Sequence, residues 1–95
     1  MPEMRFRVRW PDGATESCYS PSLVIKDHFT AGESYSVADF LARSRAALMA
    51  ASERVRAKYG FACSLAEGQL ARIEAACAGF LHDAAARVSI EGFDE

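Results

Sequence analysis

The chain has 95 residues, 51% of them hydrophobic and 25% charged, with a formal net charge of −2. That length sets one domain with a single modest core, and the composition excludes a disordered chain. The slightly acidic balance gives no electrostatic case for nucleic acid or a membrane surface, and no apolar run approaches the ~20 residues of a membrane span.

Met4 to Trp10 alternates strictly. Met4, Phe6, Val8 and Trp10 point one way, and Arg5, Arg7 and Arg9 the other, which is a half-buried strand. Pro11-Asp12-Gly13 makes a tight turn, of the three-residue hairpin form with a bulge at glycine. Ala14 to Ser20 returns as a weaker, more polar strand that Pro21 ends. The arginine face would lie open to water or to a partner. Residues 22–29 read equally as a short strand or a helical turn. Residues 30–34 read as a turn leading through Tyr35 into a helix, with Tyr35 placed to pack on Phe40.

The stretch from Ser36 to Gly60 organises the rest. Val37, Phe40, Leu41, Leu48, Val55 and Tyr59 recur at helical spacing, with Ser44, Ala47 and Ala51 on the same side. Ser36 is the expected N-cap and Gly60 the left-handed stop. A helix of this length runs roughly 35 Å, the diameter of a small domain. A second helix is expected over Ser64 to Leu81, opened by a Ser64/Glu67 capping box. Its apolar face would be Leu65, Leu70, Ile73, Cys77, Phe80 and Leu81. Arg87 to Phe93 alternates again as a third strand. The fold class is therefore α+β in the order β-β-α-α-β. Three strands form a mainly antiparallel sheet, with the first strand in the middle and both helices on one face.

Chemistry is sparse. His28 and His82 share no ligand spacing with each other or with cysteine, so no metal site is encoded, and no glycine-rich phosphate loop or other cofactor motif is present. Cys18, Cys63 and Cys77 read as free thiols in a reducing compartment. The N-terminus lacks the apolar core of a secretory signal, which makes a cytoplasmic protein the expectation. His28 beside Asp27 has the makings of an oriented general base, and Cys18 with His28 or His82 would make a nucleophile and base if the fold joined them. Cys63 lies beside a helix N-terminus, where thiolate character is favoured. Cys18, Tyr19, His28 and Cys63 are thus the candidate ligand-binding residues. Arg5, Arg7 and Arg9 are the candidate interface. Against these stand bland readings: buried small thiols, surface histidines and a solvated arginine face.

MRFRVRWPDG, ESCYSPSLVIKDHF, GESYSVADF and ASERVRAKYGFACS together resemble a family of small bacterial nitrogen-starvation response proteins. Its genes lie with those of a nitrilase, a radical-SAM protein, an acetyltransferase, an aminoimidazole-ribotide-synthase-like protein and a flavoprotein. The resemblance runs from Met1 to Phe93 and is strongest through Ser64. It implies a place in cyanide or nitrile nitrogen assimilation, and it supplies no catalytic residue to carry over. The expected function is a non-catalytic accessory or interaction protein, joined to a protein partner or to itself as a homodimer. The alternative is a small enzyme or ligand-binding protein acting on a nitrile-derived intermediate. Alanines at 42, 46, 47, 50, 51 and 57 give the long helix more small-residue surface than one thin sheet can cover.

Overall fold

The computed structural model describes residues 3–95. Its elements are β1 (Met4–Arg9), β2 (Thr15–Ser20), a 3-10 turn (Leu23–Asp27), β3 (Ser34–Ser36), α1 (Val37–Tyr59), α2 (Ser64–Ala78) and β4 (Arg87–Asp94). The class is α+β, as the residue pattern predicts. The sheet has four antiparallel strands in the order β2-β1-β4-β3, one more than the three expected, and β1 does lie between β2 and the last strand.

The β1-β2 hairpin takes the expected bulged form. Gly13 has φ 89°, its N–H donates to the Trp10 carbonyl at 2.9 Å, and the Trp10 N–H donates to the Ala14 carbonyl at 2.8 Å. The extra strand, β3, pairs antiparallel with β4, and Arg87 of β4 also donates to the Ser34 carbonyl at 2.8 Å. Gly32, at φ 87°, donates to the Ile90 carbonyl at 2.8 Å, and the Ile90 N–H donates to the Glu33 carbonyl at 2.9 Å. Two serines around Tyr35 carry no alternating pattern, which is why this segment reads as a turn. Tyr35 packs edge-on against Phe29, and Phe29 in turn meets Phe40. Residues 22–29 resolve as the 3-10 turn. Ser22 caps it by accepting from the Val24 N–H, and Ile25 and Phe29 drop into the core.

β4 carries one residue more than its pairing with β1 needs. Arg7 faces Gly92 and Val8 faces Ile90, so Glu91 is bulged out. The bulge lets Ile90 oppose Val8 and Phe93 oppose Phe6 on the inner face. On the outer face Gly92 lies beneath Arg7, whose guanidinium occupies the space a side chain would take.

α1 is capped at both ends as its sequence predicts. Ser36 Oγ accepts from the Asp39 N–H at 3.1 Å, and Gly60 adopts φ 85°. Its buried residues are Val37, Phe40, Leu41, Ser44, Ala47, Leu48 and Ala51. Beyond Ala51 no residue of the helix is buried, and Tyr59, expected on the apolar stripe, is 53% exposed. The reason is length. Strands of six to eight residues span roughly 20–26 Å, whereas 23 helical residues run about 34 Å, so the last two turns overhang the sheet.

α2 departs further from expectation. It starts at Ser64 with Cys63 as N-cap, so the Ser64/Glu67 capping box does not form, and it ends at Ala78 rather than Leu81. Ser52 of α1 replaces the box, accepting from the Cys63 N–H at 3.3 Å. The buried stripe is Ala66, Gln69, Ile73 and Cys77, while Leu65 and Leu81 are 63% and 49% exposed. A buried polar residue sets that rotation: Gln69 Oε1 accepts the Tyr19 N–H at 2.9 Å, which satisfies a donor on the edge strand β2. Both helices share one core with the Met4, Phe6, Val8 and Trp10 face of the sheet.

Candidate functional site

The open face of the sheet carries the arginine ladder. Arg7 pairs with Asp94 at 3.2 Å and Arg9 with Glu91 at 2.9 Å, while Arg5 donates to the Ser17 carbonyl at 3.5 Å. Two of the three arginines are therefore matched by carboxylates of β4, and the ladder is not a bare cationic surface. Glu16, which some registers would add to this face, sits opposite Val8 on the inner side and accepts from Trp10 Nε1 at 3.1 Å.

The four candidate ligand residues separate into one pair and two outliers. Cys18 is fully buried opposite Phe6, and burial followed by the nearby Glu16 carboxylate pushes its thiol up to about 12. A buried thiol so hard to ionise behaves as a small hydrophobe. Cys77 is likewise buried, and burial pushes it up to about 11. His28 caps the 3-10 turn, and its carbonyl accepts from Arg43 Nη1 at 2.8 Å. Among the described residues no hydrogen bond joins its ring to Asp27 or to a cysteine, and no group of three potential ligands gathers as a metal site.

Tyr19 and Cys63 do come together. They line a concavity of about 300 Å³ with Glu3, Pro21, Val55, Tyr59 and Phe61. Three elements build it: the end of β2, the overhang of α1, and the turn into α2. Burial, then the neighbouring Cys63 thiol and Glu3 carboxylate, push the Tyr19 hydroxyl up to about 12. Tyr59 and Phe61 flank the helix-stopping Gly60, their ring centroids 6.4 Å apart and their planes at 38°. A second groove, of about 180 Å³, lies between the helices and is lined by Met49, Ser52, Glu53, Ala62 and Leu70 among others. Met49, Tyr59, Phe61 and Leu65 are each more than half exposed; Tyr59 and Phe61 share the concavity, whereas Met49 lines the groove between the helices.

Tyr59, Phe61 and Glu3 escape a search for catalytic motifs. The two aromatics do leave a signal in the sequence: they flank the helix-stopping glycine, Tyr59 at the end of the apolar stripe and Phe61 past the end of the helix.

Fold and surface together define a small α+β protein whose aromatic, apolar end is set apart from its core. No helix among the described residues is long and apolar enough to cross a membrane. The chain belongs to the family described as nitrogen starvation-induced protein NitG, which it matches over residues 5–93. No curated protein and no solved structure matches it.

Proposed function

We propose that the chain is a non-catalytic accessory protein of the nitrogen-starvation response, acting by binding another protein through the surface around the α1–α2 turn. The observation that carries this reading is the exposure of Tyr59, Phe61 and Leu65, which flank the turn between α1 and α2. Together they offer apolar surface on the order of 300 Å², taking roughly 150–250 Å² for a whole aromatic side chain. Patches of that size on a monomer are often functional. The resemblance to proteins encoded beside a nitrilase makes an enzyme of cyanide or nitrile assimilation the partner of choice. Sedimentation at micromolar concentration, alone and with each enzyme of that gene cluster, tests it. The expected result is a complex with one of them that Phe61→Ser with Leu65→Ser abolishes. A monomer that binds none of them sinks the reading, and self-association alone replaces it with a homodimer.

The concavity around Tyr19 and Cys63 favours a second reading, a ligand-binding protein for a small nitrile-derived compound. Saturable binding of such a compound by a chain that captures no protein would establish it over the first.

A further inference from the structure

We infer that the Tyr19–Tyr59–Phe61 concavity binds a small alkylammonium ion. This deepens the ligand-binding reading by naming the ligand's chemistry, and it rests on that reading. Three aromatic rings line the concavity, together with Val55, Pro21 and one carboxylate, Glu3. Aromatic faces attract cations through the ring quadrupole, and an alkylated ammonium loses little hydration on leaving water for such walls. None of the lining residues is cationic, and Glu3 disfavours carboxylates and phosphates. The volume, about 300 Å³, lies at the low end for ligand sites and suits a head group with a few carbons.

Two of the rings already serve the chain's own cations. The Arg5 guanidinium lies 5.9 Å from the Tyr19 ring centroid and the Lys58 ammonium 5.6 Å from that of Tyr59. A third positive charge therefore arrives near two others, and the Glu3 carboxylate is the group that offsets them. This makes Glu3→Gln the sharpest variant, because it keeps the shape of the wall and removes its charge. Phe61 is 66% exposed, so Phe61→Ala removes a wall without disturbing the core.

The test is a titration of the full chain with choline, followed by amide NMR at constant ionic strength. The same titration with 3,3-dimethylbutan-1-ol, a neutral molecule of the same shape, is the control. Choline is expected to shift the amides of Val55, Tyr59, Phe61 and Cys63 saturably, with the neutral isostere roughly tenfold weaker. Glu3→Gln and Phe61→Ala should each weaken choline about three- to tenfold, and Met49→Ala, outside the concavity, should not. If the alcohol binds as tightly as choline, the site has no preference for charge; the ammonium assignment fails and the ligand-binding reading survives. If neither shifts these amides at tens of millimolar, the ammonium assignment fails, and the ligand-binding reading stands or falls on the nitrile-derived compound alone.

Discussion

The two halves of α1 are built to different ends. From Val37 to Ala51 one side of the helix is sealed by the sheet, the 3-10 turn and α2, and seven of its residues are buried. From Ser52 to Tyr59 none is buried, although Val55 and Tyr59 continue the same apolar stripe. A periodic stripe reports which side of a helix is apolar. It does not report how far the partner surface extends, and here that surface stops two turns short.

The largest break in this contrast should come from Leu48, which is 1% exposed at the last fully covered turn. Leu48→Ala should cost about 2–5 kcal/mol in a denaturant unfolding experiment. An unchanged midpoint would mean the covered half is not held by its apolar side.

Alkaline pH should loosen the covered region next. Folding raises the Cys18 thiol from an ordinary 9 to about 12, Cys77 to about 11 and Tyr19 to about 12. The unfolded chain therefore gives up these protons first. The stability linked to them is whole below about pH 9 and drains away as pH climbs toward 12. Cys18→Ala should flatten that decline, and an equally steep curve would remove Cys18 from its cause.

Gln69→Leu keeps volume on the buried stripe of α2 but leaves the Tyr19 N–H without its acceptor. A loss of about 1–3 kcal/mol is expected. A gain in stability would show that the unpartnered Nε2 of Gln69 costs more than the hydrogen bond gives.

The smallest effect belongs to the overhang. Phe61→Ala should leave stability within about 0.5 kcal/mol, since this ring covers little of the core. A loss as large as that from Leu48→Ala would erase the distinction between the halves.

What could be read in advance follows the same division. β1, the hairpin and the caps of α1 are dictated by local signals: strict alternation, Pro-Asp-Gly, Ser36 and Gly60. β3 is illegible locally because three residues, two of them serines, pair with β4 through main-chain groups that leave no mark on the sequence pattern. The face of α2 departs from its apolar pattern because Leu65 and Leu81 look like core residues and Gln69 does not. Only the edge of β2, fifty residues earlier in the chain, explains why a glutamine is inside. Of the candidate site, Tyr19 and Cys63 were visible as residue types, but their meeting with Tyr59, Phe61 and Glu3 is a product of tertiary structure. Cys18 and His28 are placed elsewhere by burial and by the 3-10 turn.

The bulge at Glu91 makes this strand tolerant of a change in the length of its gene. Removing one residue from the middle of a regular strand turns every side chain beyond it onto the wrong face. Loss of Glu91 should instead leave the two faces in register. Ile90 would be followed directly by Gly92 and Phe93, which already face Arg7 and Phe6 in plain alternation. The deletion would cost the Arg9 ion pair and little else.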